Sequence, residues 1–187
     1  MKLSLFFRRV ACLLTAVVLF SCSEDAYEEF SRKYRVYFMC STMVFPQEYN
    51  EIAGLGVSQF VTLRAKGAQI VMMRPSGATV TDNLSANNVG YSFGNGGLIV
   101  GRSTYADGDY CCFDLSCPNC DGHNSSVSRF TINQTTGHAT CPTCGNVYGL
   151  NNNGALVHRA DSSVNSTTRP LYKYRVELRG GSIVISN

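Results

Sequence analysis

The stretch LIVGRSTYADGDYCCFDLSCPNC, residues 98–120, joins two strand-like runs to a loop with two cysteines. Residues 98–101 and 109–113 are rich in β-branched and aromatic side chains, which fit the half-buried surface of a sheet. The Asp-Gly pair between the two runs is typical of a tight turn. The stretch therefore predicts a pair of strands that leads into the sequence Cys-Pro-Asn-Cys.

A second Cys-Pro-x-Cys loop lies at residues 141–144. Each loop turns both of its sulfurs to one side, so two facing loops place four thiolates at the corners of a tetrahedron. Zinc binds such a set with sulfur at about 2.3 Å, and a rubredoxin-like iron or a 2Fe–2S cluster also takes four thiolates. Gly145, directly after the second loop, suits the positive φ that such loops often need. The predicted metal ligands are Cys117, Cys120, Cys141 and Cys144.

Two disulfides or redox-active thiols are the alternatives to a shared metal. Disulfides persist in the oxidising compartments that exported proteins reach. A thiol-disulfide enzyme usually carries one cysteine pair at a helix N-terminus, whereas both pairs here fall between predicted strands. Among the histidines, His123 reads as a loop tip and His138 as a strand residue, and neither is expected to be a ligand.

Three cysteines stand outside the two loops and the N-terminus: Cys40, Cys111 and Cys112. Because Cys111 and Cys112 are adjacent in a predicted strand, their side chains should point to opposite faces of the sheet. One of the two could pair with Cys40, but the favoured interpretation is that at least one of them is a small buried hydrophobic side chain.

The remaining sequence predicts an all-β fold. Strand-like runs separated by Gly and Asn turns favour a sandwich or a small barrel, and the last two runs, around Gly180-Gly181, read as a hairpin. Only residues 47–53 favour a helix, of one or two turns, which Gly54 should end. The predicted strands are 34–38, 60–63, 69–72, 98–101, 109–113, 129–132, 138–141, 173–178 and 182–185.

The N-terminus has the features of an export signal. Three basic residues precede an apolar run at residues 10–20, which is too short to span a bilayer and fits a signal peptide. The run ends in LFSC (19–22), which resembles the lipobox of bacterial lipoproteins. The resemblance implies removal of residues 1–21 and acylation of Cys22, which would attach the mature chain to a membrane. We expect an outer membrane lipoprotein that faces the periplasm or the cell surface.

Composition limits the organisation and the partners. After an acidic, polar tether at residues 22–32, residues 33–187 amount to one domain, with a metal-binding lobe at about 117–148. The net charge of +3 and a charged fraction of 16% are too weak for a nucleic-acid footprint. We find no catalytic triad, acid pair or phosphate-binding loop, so an enzyme is not the favoured interpretation. The sequence identifies no protein or electron-transfer partner.

The two cysteine loops and their flanks resemble a Rieske domain. The segment CPTCGNVYGL at residues 141–150, followed by RPL at 169–171 and a closing hairpin, is similar to the C-terminal half of that family. The opening quoted stretch resembles the strand pair that carries the first ligand loop, where Cys117 matches the family's cysteine. The resemblance covers residues 33–187 and implies a Rieske-like β-sandwich with a small lobe that is built like a zinc ribbon.

The departures from the family concern the ligands. Cys120, with one extra residue inserted, and Cys144 stand where the family has its two histidines. An all-thiolate 2Fe–2S cluster would have a potential near −400 mV, below the range of roughly −150 to +300 mV of Rieske centres. Export in an unfolded state would deliver a metal-free protein, whose cysteine site zinc can occupy afterwards. Structural zinc is therefore the expected cofactor, with a 2Fe–2S electron-transfer centre as the alternative.

Overall fold

The computed structural model describes residues 29–84, 90–121, 127–160 and 169–187. The predicted signal peptide, the lipid-bearing Cys22, most of the tether and His123 lie outside these residues. In the described ranges, no helix has the length and apolar character needed to cross a membrane.

The described chain forms thirteen strands, one α-helix of 8 residues and two short 3-10 turns, at Thr104–Ala106 and Leu150–Asn152. This confirms the predicted all-β fold. In chain order, the elements are β1 (Val36–Ser41), α1 (Pro46–Ala53), β2 (Phe60–Lys66), β3 (Gln69–Met73), β4 (Thr79–Asn83), β5 (Ser92–Phe93), β6 (Leu98–Arg102), β7 (Tyr110–Asp114), β8 (Thr131–Asn133), β9 (His138–Thr140), β10 (Val147–Gly149), β11 (Ala155–His158), β12 (Lys173–Arg179) and β13 (Ser182–Ser186).

Each predicted strand overlaps an observed one, and the predicted helix and C-terminal hairpin are present. Pro46 begins α1, where its fixed φ suits the first turn, and Gly54 ends it. Four strands were not predicted: β4, β5, β10 and β11. They are short or polar, and three of them lie at sheet edges, where side-chain alternation gives little signal.

The strands form two antiparallel sheets. The large sheet has the order β4-β3-β2-β6-β7-β12-β13-β1-β5, and the small sheet has the order β11-β10-β9-β8. N-terminal and C-terminal strands meet in the large sheet, since β12 pairs with β7 and β13 pairs with β1. The small sheet follows directly from the chain that leaves β7.

Two hydrophobic cores lie on opposite faces of β6 and β7. The first core contains side chains from strands near both ends of the large sheet, for example Phe38 of β1 and Met72 of β3, so the sheet curves around it. The second core lies between the other face of the large sheet and the small sheet. Its members are Phe60, Ile99, Cys111, Phe113, Leu115, Cys117, Cys120, Phe130, Ala139, Cys141, Tyr148, Leu150 and Leu171. The second core therefore fixes the cysteine loops against the large sheet.

Candidate metal centre

The two cysteine loops face each other, and the structure brings all four predicted ligands together. Their Sγ atoms all lie within 4.8 Å of one another. The shortest sulfur contacts cross from one loop to the other: Cys117 to Cys144 and Cys120 to Cys141 are both 3.7 Å. Within the described ranges, these four cysteines are the only group of three or more side chains placed to share a metal ion.

The first loop is positioned by the end of β7. The Cys120 amide donates to the Cys117 carbonyl at 3.2 Å, which closes the turn, and the Cys117 amide donates to the Ser128 carbonyl at 3.1 Å. An isolated bridge between Ser116 and Arg129 ties the start of the loop to the chain that returns toward the small sheet. The first two candidate ligands, Cys117 and Cys120, thus follow closely after a central strand of the large sheet.

A buried carboxylate shapes the turn before the first loop. Asp114 is fully buried, and its oxygens accept hydrogen bonds from the backbone amides of Asn95, Gly96 and Ser116 at 2.8–3.0 Å. Tyr174 donates a fourth hydrogen bond at 2.8 Å. Asp114 therefore joins the glycine-rich turn before β6, the C-terminal hairpin and the approach to Cys117.

The second loop lies between β9 and β10 of the small sheet. The Cys141 amide donates to the Asn146 carbonyl, and the Gly145 amide donates to the Cys141 carbonyl, both at 2.9 Å. Gly145 has φ of 71°, so the predicted left-handed conformation is confirmed. A Cβ added at this position would lie only 2.7 Å from the Cβ of Ala160. Glycine is therefore required by both conformation and space.

The site is largely closed to solvent. Cys117, Cys120 and Cys141 are buried, and Cys144 is partly exposed. Tyr148 lies behind the sulfurs, fully buried, with its hydroxyl 4.0 Å from Cys117 Sγ. Phe130 packs edge-on against the Tyr148 ring at a centroid distance of 5.3 Å. Across the site, the hydroxyls of Ser128 and Thr143 are hydrogen-bonded at 2.6 Å and join the two loops.

The close packing of the four thiols gives them different pKa values. The pKa of Cys141 is lowered to about 5, because the nearby Cys117 thiol and the amides of Thr143 and Cys144 favour its thiolate. Proximity to Cys141 raises the pKa of Cys117. Burial is the main cause that raises the pKa of Cys120, to about 12. The metal-free cluster therefore holds shared protons around one thiolate, and these protons are the ones that a metal ion displaces.

A clasp beside the first loop was not predicted from the sequence. Asp121, the residue after Cys120, accepts hydrogen bonds from Tyr34 at 2.5 Å and Tyr172 at 2.8 Å, and it forms an ion pair with Lys33. Burial opposes ionisation, but these three donors lower the pKa of the Asp121 carboxyl overall. The clasp fixes the chain entering β1 to the first cysteine loop. Its partners lie far apart in sequence, so no local pattern could have revealed it.

The remaining cysteines do not join the cluster. Cys112 and Cys40 lie in the first core, whereas Cys111 lies in the second core, so the adjacent pair does face opposite sides of the sheet. All three are buried and free of disulfides, so both Cys111 and Cys112 are small buried side chains, where at least one was predicted. His138 lies on β9, where it pairs with Asn133 and Gly149, outside the cysteine group.

The arrangement can bind one metal ion through four sulfur ligands that come from two loops. No protein-family model matches this chain, and no curated protein does. The functional inference therefore depends on the geometry of the cysteines and on the motifs of the sequence.

Proposed function

We propose that the protein is an exported, lipid-anchored, Rieske-like binding module whose four loop cysteines hold one structural zinc ion. The observation that carries this proposal is the compactness of the cluster, with all four sulfurs within 4.8 Å of one another. Four Zn–S bonds of about 2.3 Å define a tetrahedron with edges of about 3.8 Å. The two sulfur contacts across the loops, at 3.7 Å, agree with such an edge.

The same compactness favours a single ion over a 2Fe–2S cluster. In the cluster, two irons and their bridging sulfides stand between one pair of thiolates and the other. The two pairs must then be farther apart than around one ion. Here all four sulfurs lie within 4.8 Å of one another, so the two pairs are close enough for one ion and would have to separate to admit a cluster.

The chemistry of the site supports a structural role. Catalytic zinc sites keep one position open for water or substrate, whereas structural sites use four protein ligands. All four positions here are taken by cysteines, three of them buried. The role assigned to the ion is to hold the two loops together over the second core.

Two further parts of the proposal come from the sequence. The Rieske-like relationship is supported by a small antiparallel sheet that carries one ligand loop and receives the other from a larger sheet. The lipid anchor is supported by the LFSC motif at residues 19–22, behind a short apolar run. Together they describe a metal-stabilised β-domain on the periplasmic or outer face of a bacterial outer membrane.

The test is the metal content and absorption spectrum of the full-length protein purified from membranes. We expect one zinc per chain and no visible absorption. Cys144→Ser should lose the zinc, whereas Cys40→Ala, a change at a buried cysteine of the other core, should retain it. Two irons per chain with a red-brown spectrum would overturn the zinc assignment in favour of electron transfer. Disulfides between the loop cysteines, found by mass spectrometry in protein without metal, would overturn the metal site itself.

A further inference from the structure

Two neighbouring grooves lie where the described chain begins. The larger encloses about 710 Å³ and the smaller about 380 Å³, and both are lined by Glu29 and Arg32. All of the other charged side chains that line them are basic. Their six cations, which we call the basic face, are Arg32, Lys33, Arg35, Arg169, Lys173 and Arg175.

The basic face concentrates charge in a protein that has little net charge. The full chain has a net charge of only +3 from 16 Lys and Arg residues, six of which lie here. Three acids neutralise part of the face: Glu29 pairs with Lys173 at 3.1 Å, Glu177 pairs with Arg175 at 3.8 Å, and Asp121 pairs with Lys33. Arg35 has no ion-pair partner among the described residues. The face therefore retains an excess of positive charge that is available to an anionic ligand.

An aromatic side chain holds two of the cations in place. The Phe30 ring centroid lies 5.3 Å from Lys173 Nζ and 5.2 Å from Arg175 Cζ. Both cations lie on β12, within the large sheet, so this side of the groove is built on a rigid element. Arginine forks bind phosphate oxygens with paired hydrogen bonds. The chemistry of the face thus suits phosphate groups.

The position of the face indicates where such phosphates would come from. Cys22 precedes Glu29 by seven residues, which span at most about 25 Å when fully extended. We infer that the basic face binds the phosphate headgroups of anionic phospholipids in the membrane that holds the lipid anchor. This inference rests on the proposed acylation of Cys22. The anchor would supply attachment, and the basic face would set which side of the domain meets the bilayer.

The expected effect is electrostatic and moderate. A cation near an anionic membrane contributes about 1 kcal/mol, or about fivefold in binding. Losing two cations of the face should therefore weaken headgroup binding by about 25-fold. The interaction should also weaken with added salt, because exposed charges are screened over about 10 Å at 0.1 M ionic strength.

The experiment uses full-length protein purified from membranes and vesicles of phosphatidylcholine, with or without phosphatidylglycerol. Phosphatidylglycerol should slow amide hydrogen exchange in residues 30–36 and 173–176. Arg35→Gln combined with Arg175→Gln should abolish this slowing. The matched control is Arg64→Gln combined with Lys66→Gln, which removes the same charge from β2. Phosphatidylglycerol should still slow exchange in this control variant. Flotation on phosphatidylcholine vesicles alone tests the anchor separately.

The outcomes separate the anchor from the face. Failure to float on phosphatidylcholine would overturn the anchor, and the exchange response to phosphatidylglycerol would still test the face. No response to phosphatidylglycerol would overturn headgroup binding, as would an equal loss in the control variant, which would indicate general electrostatics. Equal slowing by inorganic phosphate on phosphatidylcholine vesicles would instead assign the face to a free phosphate solute.

Discussion

The two cores share β6 and β7, but they are closed in different ways. The first core is enclosed by strands of one curved sheet and by α1, and its members are almost entirely aliphatic and aromatic. The second core is covered by a small sheet of strands only three or four residues long, and three of its buried members are loop cysteines. Short strands provide few apolar side chains, so we infer that the second core obtains its closure from the metal.

The two cores should therefore differ in how much of their stability comes from bound metal. The first core should be independent of metal, since it contains no ligand. The small sheet is not fully dependent on metal either, because Tyr148 and Leu150 pack against Phe60 and Phe113 of the large sheet. The dependence of local stability on bound metal should therefore be greatest at the two cysteine loops and should decrease toward β10 and β11.

Removal of a ligand is the strongest test of the comparison. Cys144→Ser should lower zinc affinity by more than about 100-fold, the upper value for loss of an outer partner of a metal ligand. Because metal-binding free energy stabilises the folded lobe, hydrogen exchange should accelerate in residues 117–121 and 127–148. Exchange in β1 and β13 should not change.

The matched control for this variant is Cys112→Ala, which removes a buried thiol from the first core. It should leave zinc content unchanged and should lower the free energy of unfolding without a selective effect on the loops. Unchanged exchange of the loops after zinc is lost from Cys144→Ser would show that the ion is not structural.

Two adjacent residues of β6 test the cores with nearly equal changes in volume. Leu98 faces the first core and Ile99 the second, and both are fully buried. Each change to Ala should reduce the free energy of unfolding by about 2–5 kcal/mol. Only Ile99→Ala should also weaken zinc binding, because only Ile99 packs in the core that supports the cysteine loops. Denaturant unfolding and competition with a zinc chelator measure the two effects.

An equal loss of zinc affinity in both variants would contradict the comparison, since it would mean that the loops respond to global stability alone. Chelation gives a second check with the same proteins. Removal of zinc should reduce the stability difference between wild type and Ile99→Ala, and it should leave the effect of Leu98→Ala in the first core unchanged.

Local features of the chain made the fold class and the convergence of the four cysteines predictable. The cysteines form two short-spaced pairs, and the strand pair around β6 and β7 has a clear turn between apolar runs. The contacts that build the surroundings are not local. Asp121 binds Lys33 from 88 positions away, and Asp114 binds Tyr174 from 60 positions away. A sequence pattern shows that these residues are charged or aromatic, but only the sheet topology brings them together.

Removal of the Asp121 clasp should lower stability by an intermediate amount. Asp121→Asn removes the charge that Lys33, Tyr34 and Tyr172 bind, and it should reduce the free energy of unfolding by about 1–2 kcal/mol, as for hydrogen bonds to a partly exposed charge. Hydrogen exchange should accelerate at residues 30–36, because the chain entering β1 loses its contact with the first cysteine loop. Asp109→Asn, at an exposed turn residue, is the control and should change neither quantity. Zinc loss in Asp121→Asn equal to that of Cys144→Ser would show that the clasp belongs to the metal site itself.

The smallest effect is expected in the first core, where α1 carries a buried acid. Glu48 is fully buried, and its carboxylate oxygens have no hydrogen-bond partner among the described residues. Burial is the main cause that raises the pKa of Glu48 in the folded state. The protonated carboxyl therefore contributes stability that is complete below the unfolded pKa of about 4.3. This contribution is lost as the pH rises through the folded-state pKa.

Glu48→Gln should remove this pH dependence while preserving the shape of the side chain. The stability of the variant relative to wild type should increase with pH, because only the wild-type side chain ionises at a cost in the buried site. Using the difference between two proteins cancels the pH dependence of the cysteine cluster that both contain. Glu51→Gln, on the same helix but paired with Arg74 at 2.6 Å on the surface, should show no such increase. Urea unfolding across the pH range measures the curves, and parallel curves for wild type and Glu48→Gln would mean that the first core tolerates the ionised carboxylate without cost.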